Sequence, residues 1–446
     1  MTGGARLPRR RLFGYGIGAV GTGIFGVAPG LLLLYYLTDV LGVPAAFAGV
    51  LLVLPKVWDT LISPAVGAAS DREAVRTARR TRLLLVGAVS QPVLFAALFL
   101  APSPGVAAVW TGVVFLLAAT ANTCYLVPHM ALPVEVSDRP DQRRRAMAWR
   151  AVFSTVGILV AGGLAPLLVE TAGGGRGGYA LMGAVLGAVL AAVLLAGVAG
   201  TRWIPSRPGP RPLGLVAALR TARGNRPFFV LTAANILQVL AAAVMLAGVP
   251  YAAAYRLGDY GLTSVMFMAM VVPSVVAVPV WQALTRRYGA VRCYLAAVVG
   301  FGALAAALYP AITSVAGVLA LTAGIGVCYA ALQLLPPSLV LETTHADRKR
   351  TGHTQSGAFT GIAAAADTGS LALGPGVYAL VLAVSGFRSS DFEHPVAQSG
   401  TAMTGLLAGC TLLPALLMLA SVPLVLAFRR VSPGAAPVTP DAVAAG

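Results

Sequence analysis

Residues Ala180 to Gly200 read ALMGAVLGAVLAAVLLAGVAG, a run without a single charged side chain. About twenty apolar residues in a helix span the hydrocarbon core of a bilayer, and a helix satisfies its own backbone polar groups there. This stretch therefore predicts a transmembrane helix. Comparable apolar runs predict eleven further helices at residues 12–38, 45–69, 83–102, 105–133, 151–171, 228–254, 260–284, 293–311, 313–342, 357–384 and 400–427.

The overall composition indicates a surface that faces lipid. Of the 446 residues, 58% are hydrophobic and 11% are charged, and the mean hydropathy is +0.82. A soluble domain carries about a quarter of its residues as charges, so a soluble protein is excluded. The 51 glycines fit helices that pack through small residues in lipid. We therefore expect an all-α integral membrane protein with twelve transmembrane helices, in contact with the lipid bilayer.

The formal net charge of +17 is concentrated in particular loops. Of the 32 lysines and arginines, 28 fall on one side of the predicted helices, while Arg176, Arg256 and Arg388 fall on the other and Lys56 lies within a helix. Because basic residues accumulate in cytoplasmic loops, this pattern predicts a multi-pass protein of the cell (inner) membrane with both termini in the cytoplasm. Topology explains the charge, so no nucleic-acid partner is expected.

A segment rich in proline and arginine divides the predicted helices into two sets of six. It reads SRPGPRPL at residues 206–213 and lies in the longest internal loop. We predict an N-terminal six-helix bundle at residues 1–200, a cytoplasmic central loop at 201–227, a C-terminal six-helix bundle at 228–430 and a disordered cytoplasmic tail at 431–446. Two six-helix halves are the arrangement of major-facilitator transporters, which bind their substrate near the membrane midplane between the halves.

Few ionisable residues lie inside the predicted helices, where a charge costs several kcal/mol and usually has a function. Lys56 and Asp59 are three residues apart in the second helix, so they share a face and can partly neutralise each other. They form either a structural ion pair or a coupling site at which Asp59 binds and releases a proton. Asp367, in the eleventh helix, is either a second proton site or a substrate contact. Asp39 is placed at a helix end.

The sequence offers no catalytic arrangement. We recognise no hydrolytic triad, zinc-ligand cluster or phosphate-binding loop, so we expect neither an enzyme nor a cofactor. The run GIGAVG at residues 16–21 matches the dinucleotide pattern GxGxxG, but it lies inside an apolar helix instead of between a strand and a helix. We interpret these glycines as helix-packing residues.

Several motifs resemble one transporter family. They are YYLTDVLG at residues 35–42, KVWDTLISPAVG at 56–67, SDR at 70–72, PHMALPVE at 128–135, AWRAVF around Arg150, TG at 351–352 and GAFTG at 357–361. Together they span most of the chain and resemble the glycoside-pentoside-hexuronide:cation symporter family of the major facilitator superfamily. The resemblance implies a secondary active transporter with two six-helix halves.

The resemblance also implies a coupling site. Asp59 falls at the family's cation- or proton-coupling carboxylate, Thr123 at a cation ligand, and Lys56 at a basic residue near that site. The family's second acid, four residues after the first, is replaced by Ser63. This replacement removes a charged oxygen ligand, which sodium sites favour. We therefore expect H⁺ as the coupling ion in preference to Na⁺, and no bound metal.

The substrate site implied by the resemblance departs from the family pattern. Its candidate residues here are Tyr35, Trp58, Arg150, Asp367, Gly23 and Leu126. Arg150 matches an arginine implicated in substrate interaction, and Asp367 aligns with a lysine of the eleventh helix. Gly23 and Leu126 replace an acid and a polar residue that face the sugar, so charge-assisted hydrogen bonds to a galactoside are lost. The expected solute is less polar than a galactoside.

These observations favour a secondary active transporter that moves a small organic solute, such as a sugar, a glycoside or a related metabolite, by alternating access. Protonation of Asp59 is the expected coupling step. Two alternatives are proton-driven export of a drug or natural product, and a non-transporting scaffold or receptor on a transporter fold. The membrane charges at Lys56, Asp59 and Asp367 disfavour a scaffold, because they are costly to retain. We expect a monomer.

Overall fold

The structure, a computed structural model, describes residues 8–102, 104–136, 139–205, 225–351, 356–392, 394 and 396–431. Within these residues, twelve helices are long and apolar enough to cross a membrane, which confirms the predicted all-α architecture. They are α1 (Arg9–Leu33), α2 (Ala45–Thr77), α3 (Thr81–Leu98), α4 (Gly105–Pro133), α5 (Asp141–Thr171), α6 (Gly175–Thr201), α7 (Arg226–Leu257), α8 (Leu262–Tyr288), α9 (Ala290–Ala311), α10 (Val315–Thr344), α11 (Phe359–Val384) and α12 (Gly400–Arg430).

Some helices are longer than the apolar runs that predicted them. α2 continues beyond residue 69 through the charged sequence SDREAVRT and ends at Ala78, which adopts a left-handed conformation with φ of 53°. α5 starts about ten residues before the predicted start, in a helical stretch that has Pro140 at its first position. An apolar window detects only the lipid-buried part of a helix, so these charged turns lay outside the predicted spans.

The described residues form two compact units. Unit 1 contains the described parts of Met1–Pro210, Ala253–Ser264 and Pro375–Thr404, and unit 2 contains those of Arg211–Ala252, Val265–Gly374 and Gly405–Gly446. Unit 1 therefore holds α1 to α6 together with two short segments from the second half of the sequence. The predicted bundle boundaries stay predictions. Residues 206–224 of the predicted central loop, 352 of the TG motif and 432–446 of the predicted tail lie outside the described residues.

The glycines of the GxGxxG run in α1, Gly16, Gly18 and Gly21, are packing residues, as predicted. A Cβ built on Gly18 would meet Tyr125 and the Gly197 Cα of α6, and one built on Gly23 would meet the α5 backbone at Ser154 and Gly157. The GxGxxG run thus lies within a helix at crossings with two others, where only glycine permits so close an approach.

The SDR motif at the end of α2 is held by an arginine that the sequence did not single out. Arg80 Nη1 donates to Asp71 Oδ1 at 2.8 Å and to Ser70 Oγ at 2.7 Å, and Arg80 Nη2 lies 2.9 Å from Glu135 Oε1. The side chains of Arg80 and Glu135 are only 5% and 6% exposed. This network fixes the ends of α2 and α4 relative to each other.

Candidate functional site

The carboxylate of Asp59 lies on α2 and meets α4. The Thr123 hydroxyl donates a hydrogen bond to Asp59 Oδ1, and Thr123 is 1% exposed. The same hydroxyl lies 2.9 Å from the Ala119 carbonyl oxygen one turn earlier on α4. Asp59 itself is half-buried. The structure thus joins two residues that are 64 positions apart in the sequence and that the family resemblance paired.

Lys56 and Ser63 flank Asp59 on α2 in different ways. Lys56 interacts electrostatically with Asp59, but within the described structure the two side chains form no direct ion pair of 4.0 Å or less. The Ser63 hydroxyl donates to the backbone carbonyl of Asp59 at 2.7 Å, so it is engaged away from the carboxylate. The Asp59 carboxylate is therefore supported by one hydroxyl and one nearby ammonium group.

The other predicted residue of α2 also contacts α4. Trp58 Nε1 donates to Thr120 Oγ1 at 3.0 Å, one turn before Thr123. Leu126 lies on α4 three residues after Thr123 and is half-buried. The α2–α4 contact therefore includes Asp59 and Thr123 of the predicted coupling site and Trp58 of the predicted substrate site.

Arg150 lies apart from Asp59 in a buried aromatic cluster of unit 1. It interacts electrostatically with Tyr15 and His129. The His129 ring stacks on Tyr15 with 4.6 Å between centroids, and His129 Nε2 lies 3.1 Å from the Tyr15 carbonyl oxygen. Within the described residues, Arg150 Nε and His129 Nδ1 have no hydrogen-bond partner. Such buried groups are usually satisfied by ordered water.

Two further predicted residues occupy other places in unit 1. Gly23 is buried at the crossing of α1 and α5. Tyr35 packs its ring against Tyr260, with 5.2 Å between centroids. The structure therefore places Gly23 in a helix contact instead of on a cavity wall, and Tyr35 in an aromatic contact. Their predicted substrate roles stay predictions.

Asp367 lines a cavity of about 300 Å³ that lies within unit 2, between α7, α10 and α11. Asn235 Nδ2 of α7 donates a hydrogen bond to Asp367 Oδ1. Thr232 and Gln333 also line the cavity, and most of the remaining wall is aliphatic. No lysine, arginine or histidine is among the described residues that line it.

The sequence reasoning missed the partners of Asp367. Asn235 is 132 positions away, so no local spacing connects the two residues. A signal was present nonetheless, because Thr232, Asn235 and Gln238 recur every three residues in an otherwise apolar helix. Residues at that spacing share a helix face, and polar residues on one face of a membrane helix point to a cavity or a partner.

A second polar cluster in unit 1 surrounds Asp39, in a π-helical turn (Tyr36–Val40) that follows α1. Asp39 is 6% exposed, and its carboxylate accepts hydrogen bonds from the hydroxyls of Thr38 and Tyr255. The backbone N–H of Ser390 donates to the Thr38 carbonyl oxygen at 2.9 Å. Segments from residues 253–264 and 375–404 thus cover this carboxylate, which the sequence placed at a helix end.

Aromatic hydroxyls complete the Asp39 cluster. The hydroxyls of Tyr179 and Tyr260 are 2.7 Å apart, and the electrostatic field of Asp39 reaches Tyr35, Tyr179, Tyr255 and Tyr260. Within the described residues, no cation forms an ion pair with Asp39. Burial is the largest influence and raises the pKa of Asp39 to about 7, while the hydrogen bonds from Thr38 and Tyr255 act in the opposite direction.

This shift predicts a pH-dependent stability. The folded protein keeps the Asp39 proton above the ordinary pKa of 3.8, where the unfolded chain has lost it, so stability falls as the pH rises from about 4 to about 7. We expect thermal unfolding in detergent at a lower temperature at about pH 8 than at about pH 5, and a smaller difference for Asp39→Asn. Asp141→Asn is the control, because Asp141 is 57% exposed. An Asp39→Asn protein with the full wild-type difference would contradict this assignment.

Comparisons with known proteins agree with this architecture. The model of a family described as MFS/sugar transport protein matches residues 14–429. YagG, a candidate glycoside/cation symporter of Escherichia coli (strain K12), is 29% identical over 182 residues, which are 40% of each chain. A candidate 2,3-dihydroxypropane-1-sulfonate exporter of the same strain is 27% identical over 302 residues, or 65% of each chain. These matches thus span less than two thirds of the relatives' lengths.

A solved structure extends the likeness over nearly the whole chain. The nucleoside transporter NupG superposes with a TM-score of 0.66 at 13% sequence identity, over 95% of this chain and 99% of that one. At this identity the likeness concerns the fold alone. The predicted all-α fold with twelve membrane-spanning helices is therefore confirmed.

Proposed function

The chain belongs to the MFS/sugar transport protein family, and we propose that it is a secondary active transporter that couples H⁺ at Asp59 to the movement of a small organic solute. The family and the structural neighbour are transporters and not enzymes. The predicted membership of the glycoside-pentoside-hexuronide:cation symporters is confirmed by the relatives. The proposal adds the coupling ion, the coupling residue and the class of solute.

The observation that carries the proposal is the environment of Asp59. Its carboxylate lies in a membrane span, accepts a hydrogen bond from Thr123 and interacts electrostatically with Lys56, with which it forms no direct ion pair in the part of the chain that the structure describes. A carboxylate in such a place changes its protonation when hydration or the position of the cation changes. Movement of α2 against α4 would alter the hydration of Asp59 and its distance from Lys56. The protonation of Asp59 and the conformation of the protein would therefore depend on each other.

The same environment favours H⁺ over Na⁺. A sodium ion needs several oxygen ligands, whereas, within the described residues, the Asp59 carboxylate has one side-chain hydroxyl partner, and the Ser63 hydroxyl is directed to the backbone. The nearby ammonium of Lys56 would also repel a second cation. A proton requires only the carboxylate oxygen.

The class of solute is supported by the names of the relatives, and the orientation of the protein in the membrane by the distribution of its basic residues. One relative is named for a glycoside and another for a sulfonate. The solutes to test are therefore small organic molecules, such as a sugar, a glycoside or a related metabolite. One relative is named a symporter and the other an exporter, and one alternating-access cycle runs in either direction. The distribution of 28 basic residues on one side supports cytoplasmic termini.

The proposal predicts proton movement that depends on a solute. Ligands are first found by thermal shift of the purified protein against sugars, glycosides, lipids and small metabolites, since a ligand that binds the folded state raises its stability. We expect a confirmed ligand, added to proteoliposomes that contain a pH-sensitive dye, to change the internal pH, and no change in empty liposomes. Ligand uptake without a pH change would overturn H⁺ coupling. Binding without uptake would overturn transport and favour a receptor.

A further inference from the structure

We propose that the transported solute carries a protonated amine on a mainly apolar body, and that Asp367 binds this amine in the cavity of unit 2. The inference rests on the proposed transport function and names the substrate class. It is carried by four features of the cavity: its charge, its hydrogen-bonding groups, its aromatic neighbour and its aliphatic wall.

Among the described residues that line the cavity, Asp367 is the one charged group, and none is basic. Asp367 is half-buried in a membrane helix, and its carboxylate accepts a hydrogen bond from the uncharged amide of Asn235. An ionised carboxylate without a counter-charge is unfavourable in such surroundings. A cation that enters the cavity can neutralise it, and an organic ammonium group supplies both the charge and hydrogen-bond donors.

The hydrogen-bonding groups around Asp367 suit a donor. Asn235 Nδ2 is already used on Asp367 Oδ1, which leaves the second carboxylate oxygen and the amide oxygen of Asn235 as acceptors. Thr232 is 7% exposed, and its hydroxyl has no partner within the described residues. An unpaired buried hydroxyl costs about 1–3 kcal/mol. An ammonium donor in the cavity could engage the remaining oxygens of Asp367 and Asn235.

Two tyrosines of unit 2 lie within electrostatic range of Asp367. Tyr329 and Tyr294 both experience the electrostatic field of Asp367. The Tyr294 hydroxyl is engaged, since it donates to Gln238 Oε1 at 2.6 Å. Tyr329 lies four residues before Gln333 on α10, and therefore on the same helix face as this cavity-lining residue. An aromatic ring on this helix face can attract an organic cation that approaches it.

The rest of the wall suits a solute with an apolar body. It is built from aliphatic side chains and prolines, among them Leu231, Val239, Leu332, Val340 and Pro336. A sugar would lose the hydrogen bonds that its hydroxyls make with water and find few replacements there. A volume of about 300 Å³ is at the small end for ligand pockets. A compact amine with a hydrocarbon body matches the wall, the volume and the charge.

The test compares ligands that have the same shape and differ in charge. The purified full-length protein in detergent is titrated calorimetrically with 2-phenylethylamine and hexylamine, and with their uncharged counterparts 2-phenylethanol and hexanol, at about pH 7.5. We expect each amine to bind at least about tenfold more tightly than its alcohol. Alcohols that bind as tightly as the amines, or amines that do not bind, would overturn the inference. This comparison uses the wild-type protein and needs no variant.

Substitutions then test whether Asp367 causes the preference for amines over alcohols. We expect Asp367→Asn to lower the affinity for the amines by at least about tenfold and to leave the alcohols unchanged, and Asp367→Glu to keep the preference for amines. Glu342→Gln is the matched control, because Glu342 is a carboxylate of the same unit and does not line the cavity. An Asp367→Asn protein that still prefers amines would contradict the assignment.

The two proposals can fail separately. Amine binding that depends on Asp367 without any proton flux would overturn the proposed H⁺ coupling and support the inference about the substrate. Proton flux driven by an uncharged ligand, with no preference for amines, would support the proposed function and overturn the inference.

Discussion

We expect an Asp59→Asn variant to lose the accumulation of solute against a gradient while it keeps binding and exchange. Asparagine retains an oxygen that can accept the hydrogen bond from Thr123, but it has no titratable proton. With one coupled proton and a pH difference of about one unit, the wild-type protein can accumulate solute about tenfold, because one pH unit corresponds to about 1.4 kcal/mol. The variant should reach a concentration ratio of about one.

The measurement uses proteoliposomes, an imposed pH gradient and a radiolabelled ligand taken from the thermal-shift screen. Exchange is followed separately, by entry of labelled ligand into vesicles preloaded with unlabelled ligand and without a pH gradient. Ser63→Ala is the control, because the Ser63 hydroxyl bonds to a backbone carbonyl and not to the Asp59 carboxylate. We expect this control to accumulate solute normally. Undiminished accumulation by Asp59→Asn would show that coupling occurs elsewhere.

Lys56 offers an independent test of the same site within this experiment. Its ammonium is near Asp59 but makes no direct ion pair with it in the described structure. If Lys56 acts on the protonation of Asp59, Lys56→Gln should shift the pH at which accumulation is half-maximal. A purely structural pair would change the stability of the protein and leave that pH unchanged.

The fold could be predicted because lipid imposes strict requirements on a sequence. Each membrane helix needs about twenty apolar residues, and runs such as Ala180 to Gly200 fulfil that requirement without any tertiary context. The charged last turns of α2 could not be predicted in this way, since they lie where apolarity is no longer required. Arg80 contacts Ser70 and Asp71 of these turns and joins them to Glu135, which is 55 positions away in the sequence.

The candidate site was predictable only where its residues are close in sequence or match a family motif. Lys56 and Asp59 are three positions apart on one helix, and Thr123 followed from the resemblance. Asn235 and Asp367 are far apart in sequence, and their contact depends on how α7 packs beside α11. One sequence contains no direct record of such a pairing.

The burial of Asp39 is another feature that the sequence could not predict. The sequence placed Asp39 at the end of a helix, and the structure shows that it is 6% exposed. The residues that bury it, including Tyr255 and the segment around Ser390, come from distant parts of the chain. These distant segments bury the end of the helix, and the apolar periodicity of the helix does not predict where they pack.

The second large effect is expected at the crossing of α1 and α5, where a substitution should lower the stability of the folded protein. A Cβ built on Gly23 would overlap the Ser154 carbonyl oxygen and lie 3.1 Å from the Gly157 Cα. Both are backbone atoms, so the two helices would have to separate. Because association of membrane helices depends on close packing, and overpacking costs about 1–3 kcal/mol or more, we expect Gly23→Ala to lower the unfolding temperature and the yield of monodisperse protein markedly.

Gly26 is the matched control on the same helix, since a Cβ added there would meet nothing within 4 Å. Alanine forms helix better than glycine by about 1 kcal/mol, so Gly26→Ala should be as stable as the wild-type protein or slightly more stable. Gly157→Ala, on the facing helix, should reproduce the Gly23→Ala defect, because its added Cβ would overlap the Val20 carbonyl oxygen. Equal stability of Gly23→Ala and Gly26→Ala would contradict the close crossing. It would then reopen the position for the substrate role that the family resemblance assigns to it.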